Sequence, residues 1–205
     1  MHPAEPFHVE DRETLLAFIA AHPFVTLAAA VGGRPFVAQA PVVLRELGDG
    51  EVALDFHLSR GNVLSPHIVQ GFRAVALATG PDAYVSPDWY ADRKDQVPTW
   101  NYLSVEAEGS VAVLDDDELV ALLDDLSAQE EAHLLPKPPW TRAKMSPAKF
   151  GALSRGIIGA RLNVDRLQGT FKLSQNKGEA DRAGVIAALG EHPIARLMRV
   201  GFSLS

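Results

Sequence analysis

Three apolar-rich runs, Phe24 to Val31, Arg34 to Arg45 and Glu51 to Leu58, are joined only by Gly32-Gly33 and Gly48-Asp49-Gly50. Glycine accepts the positive φ that tight hairpin turns require, so both links read as turns. Links this short join antiparallel neighbours, because a parallel pair needs a crossover of about a dozen residues or more. An antiparallel meander is therefore the seed of the fold.

The rest of the chain adds strands to this meander and helices around it. Leu15, Phe18 and Ile19 fall at helical spacing behind Asp11, a suitable N-cap, and Pro23 ends that helix. A short helix is expected from Asn62 to about Val69. Phe72 to Ala78 reads as a strand covered on both faces, and Ala83 to Pro98 as an ordered loop. Thr99 to Leu114 is long and strand-like, with Gly109 marking a bulge or bend. Asp115-Asp116-Asp117-Glu118 opens a helix, since carboxylates complement the dipole at a helix N-terminus. Leu119, Leu122, Leu123 and Leu126 form its apolar stripe. This gives the acidic run a sufficient structural reason, and no metal is assigned to it. Ser146-Pro147 has the pattern of an N-cap followed by proline at the first helical position. In the following strand, Ile158, Ala160, Leu162 and Val164 face one way and Arg161, Asn163 and Asp165 the other. Helices are expected at Glu179 to Leu189 and Pro193 to Val200. The sum is a mainly β fold of six or seven antiparallel strands with peripheral helices. Closure into a small barrel is its natural outcome, because closure removes exposed edges.

Composition narrows the function classes. The chain has 205 residues and no cysteine, so disulfides, thiolate metal sites and cysteine nucleophiles are excluded. No run reaches the roughly 18 apolar residues of a membrane span. Met1-His2-Pro3-Ala4-Glu5 lacks a basic region followed by an apolar one, so a cytoplasmic protein without a signal peptide is expected. The net charge of −7 argues against general DNA binding, which rests on phosphate neutralisation. Arg142 to Arg182 nevertheless holds nine Lys/Arg against three Asp/Glu. This basic stretch is either a solvated face or a face for an anionic ligand, with nucleic acid the weaker option.

No dinucleotide, nucleoside-triphosphate or nucleophile-elbow motif occurs, and the seven histidines are scattered. No catalytic residue is identified. Three polar segments remain. In His57-Leu58-Ser59-Arg60-Gly61-Asn62, a hydroxyl, a guanidinium and helix N-terminal amides suit a phosphate; Ser59 or Asn62 could equally be caps. Trp89, Trp100, Tyr84, Tyr90 and Tyr102 gather between Gly80 and Tyr102, as a planar-ligand or partner surface or as a loop pinned by its own rings. In Phe171-Lys172-Leu173-Ser174-Gln175-Asn176-Lys177, one charge and several hydrogen-bonding groups collect between a strand and a helix. Turn chemistry explains Ser174 and Asn176 but not Lys172 or Gln175.

These strings resemble the PaiB family of FMN-binding negative transcriptional regulators. The resemblance runs over nearly the whole length. It is carried by His57 to Asn62, Ala83-Tyr84-Val85-Ser86-Pro87, Pro98-Thr99-Trp100-Asn101-Tyr102, Lys172-Leu173-Ser174-Gln175-Asn176 and Asp181-Arg182-Ala183-Gly184-Val185. Thr170 stands where the family pattern has lysine, and Ser59 where it commonly has alanine. The resemblance implies an FMN-binding split β-barrel, related to the pyridoxamine-phosphate-oxidase and flavin-reductase group. It also implies a homodimer with flavin at the subunit interface and a role in transcription. The barrel is expected over 1–170, with 171–205 a helical segment packed on it in the same domain. The FMN phosphate is assigned to Ser59, Arg60 and Asn62. Ring and ribityl contacts are assigned to Trp100, Asn101, Lys172, Ser174, Gln175 and Asn176. The alternatives are a small FMN-dependent oxidoreductase and a barrel that has lost its cofactor and serves as an interaction module.

Overall fold

The computed structural model describes residues 3–202. Seven antiparallel strands form one sheet: β1 (His8–Val9), β2 (Phe24–Val31), β3 (Arg34–Gly48), β4 (Glu51–Ser59), β5 (Phe72–Val85), β6 (Thr99–Val113) and β7 (Ile157–Lys172). Six helices accompany them: α1 (Arg12–Ala21), α2 (Ser65–Ile68), α3 (Asp116–Ala132), α4 (Pro147–Ser154), α5 (Glu179–Leu189) and α6 (Pro193–Val200). The strand order is β1-β7-β4-β3-β2-β5-β6, and β7 also pairs with β6. The ladder thus returns on itself, the topology of a split barrel.

The meander forms where its turns demand it. Gly32 and Gly33 have φ of 59° and 77° and bring Val31 opposite Arg34. Helix starts also follow local chemistry. The Asp11 carboxylate accepts from Thr14 N, Ser146 Oγ from Lys149 N, and Asp115 with Glu118 forms a reciprocal capping box at α3.

Two expectations need correction. The Ala83 to Pro98 segment is not loop from its start, because β5 continues to Val85. Ala83 and Val85 are buried on either side of the exposed Tyr84, the alternation of a half-buried strand. The helix expected from Asn62 shrinks to the single turn of α2. A third element, β1, carries no sequence signal; it exists because His8 and Val9 pair with Thr170 and Gly169 near the end of β7.

The chain divides into two compact units. One comprises the described parts of Met1–His22 and Leu167–Ser205 together with Ala78–Glu106; the other comprises Pro23–Leu77 and Ala107–Arg166. In the first, Phe18 is fully buried, stacked on His22 and packed against Phe171 and Phe202. In the second, the α3 stripe of Leu119, Leu122 and Leu126 packs with Val43 and Leu114.

Candidate functional site

In the second unit the end of β4 makes a tight polar turn. The Ser59 carbonyl accepts from Asn62 N at 2.8 Å and from Ser65 Oγ at 2.6 Å. Ser59 Oγ accepts from Gly61 N at 3.2 Å, and Asn62 Oδ1 from Leu64 N at 2.9 Å. Both side chains therefore perform turn chemistry here. Arg60 differs. Its N donates to the Gly156 carbonyl at 2.9 Å and its Nε to the Arg155 carbonyl at 3.0 Å. Those bonds fix the guanidinium against the turn that precedes β7, and no carboxylate pairs with it among the described residues. A single-turn α2 offers no helix-terminal anion site, so attraction for an anion at this junction rests on Arg60.

In the first unit the Lys172 to Lys177 turn meets the start of β6. Asn101 Nδ2 donates to Ser174 Oγ at 2.9 Å, and Ser174 Oγ donates to Asn101 Oδ1 at 3.2 Å. Both residues are buried. Ser174 holds φ at 57°, a left-handed conformation costly for a residue with a Cβ and sustained by its surroundings. The Gln175 amide is fully engaged: Oε1 accepts from Leu173 N, and Nε2 donates to the Pro6 and Phe171 carbonyls. Lys172 Nζ donates to Thr99 Oγ1 at 2.6 Å and lies 5.5 Å from the centre of the Phe7 ring. Burial pushes its pKa below the usual lysine value, and no carboxylate pairs with it among the described residues. Trp100 is 54% exposed, edge-on to the exposed Tyr84. Asn176 is exposed.

The proposed ligand residues thus fall into two groups, one per unit. Ser59, Arg60 and Asn62 share one turn. Asn101, Lys172, Ser174 and Gln175 share another neighbourhood, flanked on β6 by Trp100. Reasoning from sequence missed the direct Asn101–Ser174 bond, although both residues were singled out. It also missed Asp55, which is 1% exposed and accepts from Arg45 Nε and from Arg161 Nε and Nη2 at 2.7–2.9 Å. The periodicity of β4 carries no sign of it, since Asp55 sits among Val52 to Phe56, all buried. Arg161 also meets Glu118, Arg142 pairs with Asp124, and Arg166 lies 3.5 Å from Glu108. Three of the basic residues between 142 and 182 are thereby neutralised, which shrinks any basic face. No group of three His, Asp or Glu could hold a metal, and no helix is long and apolar enough to cross a membrane, among the described residues.

The family model described as "Putative FMN-binding domain" matches residues 1–166. Protease synthase and sporulation protein PAI 2 of Bacillus subtilis (strain 168) is 30% identical over 194 residues, which are 94% of this chain and 91% of that protein. Among solved structures, the FAD and heme binding protein from Mycobacterium smegmatis superposes with a TM-score of 0.55 at 21% identity, covering 90% of this chain and 81% of that one. The flavocytochrome Anf3 from Azotobacter vinelandii superposes with a TM-score of 0.58 at 18% identity, covering 89% and 78%. At these identities the two superpositions speak for the fold.

Proposed function

Since this chain belongs to the PaiB family of FMN-binding split-barrel proteins, with FMN as its cofactor, we propose that it works as an FMN-binding negative regulator of transcription. The observation that carries the binding reading is Arg60. Its guanidinium is oriented through Nε by the Arg155 carbonyl, which leaves the terminal nitrogens for a phosphate. Ser59 Oγ and the Asn62 side chain complete the phosphate turn. The second donor set suits a planar ring with polar edges. Trp100 offers an exposed aromatic face and Lys172 a cation that no carboxylate pairs among the described residues. Asn101, Ser174 and Gln175 hold the turn that carries Lys172, and Asn176 adds an exposed amide. Bound FMN supplies one- and two-electron redox chemistry.

We assign the working form to a homodimer with flavin at the subunit interface. Exposed apolar side chains in each unit support this: Tyr84, Val97 and Trp100 in the first, Phe24 and Val37 in the second. The regulatory role draws its support from the family resemblance. The α5–α6 pair has the three-residue link of a helix-turn-helix, but acidic and basic residues balance across it. Any DNA binding must therefore be specific rather than generally electrostatic.

FMN titration followed by flavin absorbance tests the binding reading. Arg60→Ala should lose about 1.5–3 kcal/mol of affinity, roughly ten- to a hundredfold in Kd. An Arg60→Ala protein that takes up FMN as tightly as the parent removes Arg60 from the site. Binding to a defined promoter but not to random DNA of equal length supports the regulator. Steady FMN-dependent NAD(P)H consumption, with no DNA binding, replaces it with the oxidoreductase reading.

A further inference from the structure

Arg60 also ties the sheet to α4. Ser59 on β4 stands opposite Ile157 on β7, and the Arg60 N bond to the Gly156 carbonyl at 2.9 Å extends that ladder by one step. The side chain reaches one residue further. Its Nε donates at 3.0 Å to the carbonyl of Arg155, the C-cap of α4. Gly156 N closes the turn on the Leu153 carbonyl at 2.9 Å, so both carbonyls that Arg60 uses belong to one hydrogen-bonded turn.

α4 depends on this tie more than a packed helix does. None of its side chains is buried. Packing of an apolar face is what normally holds a helix, and eight residues are too few to be stable alone. The chain before it is fixed to α3. Lys137 pairs with Glu131, Trp140 N donates to Glu131 Oε2 at 2.9 Å, and Arg142 Nη2 donates to Asp124 at 2.8 Å. The Arg142 guanidinium lies 5.0 Å from the centre of the Phe150 ring on α4. Among the described residues, Arg60 is the one side chain outside the segment from Lys137 to Gly156 that makes a hydrogen bond to α4 or its C-cap.

Arg60 is exposed, and its terminal nitrogens have no partner among the described residues. Holding an exposed arginine in one rotamer costs side-chain entropy. A phosphate gripped by the two terminal nitrogens fixes the guanidinium plane. With the plane fixed, the Nε bond to Arg155 forms without further ordering, so the phosphate strengthens the tie to α4. Thermodynamic linkage makes the effect mutual. Resting on the reading of Arg60 as the phosphate ligand, we propose that α4 and the turn after it position that arginine, and that FMN binding in return seats α4 against the end of the sheet. Gly156 is the positioning residue of the turn. Cofactor occupancy is thereby displayed on the exposed surface of α4 and its cap, at Ala152, Leu153 and Arg155.

Amide hydrogen exchange with and without saturating FMN tests this. The amides from Phe150 to Gly156 should exchange about two- to tenfold more slowly with FMN, the worth of one hydrogen bond. Arg60→Lys keeps the charge, but its single nitrogen cannot grip phosphate and carbonyl together. Saturated with FMN, it should show no such slowing. Gly156→Pro supplies the reverse test. Arg155 has helical φ and ψ of −64° and −17°, which a following proline disfavours, so its carbonyl turns away from Nε. This should weaken FMN about two- to tenfold in the parent and add no loss in an Arg60→Ala background. Unchanged exchange in the FMN-bound parent overturns the proposal. So does equal slowing in Arg60→Lys, or a folded Gly156→Pro that loses nothing or loses equally with and without Arg60. Should Gly156→Pro not fold, the exchange comparison decides alone. An Arg60→Ala protein that binds FMN like the parent removes the phosphate reading and this inference together; FMN binding that needs Arg60 but leaves the α4 amides unmoved removes this inference only.

Discussion

Asn101 and Ser174 stand 73 positions apart, yet each completes the other's hydrogen bonding in the interior. Removing one side of such a pair leaves the other buried and unsatisfied, which costs more than the bond itself is worth. Asn101→Ala should therefore lose about 1–3 kcal/mol, read as a fall in the urea midpoint at unchanged slope. His57 carries the second prediction at this scale. Burial holds its pKa below the ordinary 6.5, so the unfolded chain takes up a proton that the folded chain refuses. The resulting stability is fully present above about pH 6.5 and is lost as pH falls through that value towards the lower folded pKa. Urea midpoints at about pH 7.5 and about pH 5.5 should fall further for the parent than for His57→Leu. Residue identity alone marked Ser174, Lys172 and Arg60 as polar groups of interest. Which of them would be free for a ligand depended on neighbours far along the chain.

Elements were most legible where local chemistry decides them. The Asp11 and Ser146 caps, the acidic start and apolar stripe of α3 and the glycine turns all act within a few residues, and all are found as read. The end of β5 was harder, because Pro, Asp and Ser in its neighbourhood carry loop chemistry. Burial of Ala83 and Val85 kept it a strand. After β5, the segment from Pro87 to Asp92 is held by α5. The Asp181 carboxylate accepts from Ala91 N at 2.9 Å and Asp92 N at 3.4 Å. Lys177 donates to Gln96 and lies 4.5 Å from the centre of the Tyr90 ring. Gly184 allows this approach, since a Cβ there would stand 2.0 Å from the Trp89 carbonyl oxygen. Gly184→Ala should cost about 1–3 kcal/mol by forcing α5 away. The local readout is faster hydrogen exchange at the Ala91 and Asp92 amides; unchanged exchange would show that α5 does not hold this segment.

At the scale of the molecule, one sheet runs from β1 to β6 and pairs β6 with β7. Gly109, read as a bulge or bend, makes that last pairing possible: a Cβ there would meet the Asn163 carbonyl oxygen at 1.8 Å. Across the sheet, Asp55 on β4 binds Arg161 on its register partner β7 and Arg45 on β3. Asp125 and Glu118 on α3 bind the far sides of the two arginines. Asp55→Asn takes the shared charge from both arginines and should cost about 3 kcal/mol, measured by equilibrium unfolding. The sequence by itself determined the strands, turns and caps, because φ preferences, periodicity and capping act over a handful of residues. The family strings did the same for membership and cofactor. Only the tertiary structure decided which polar side chains are engaged and which remain available. Strand register and close packing chose those partners: Asp55 for Arg161, Asn101 for Ser174, and, among the described residues, none for His57 Nδ1.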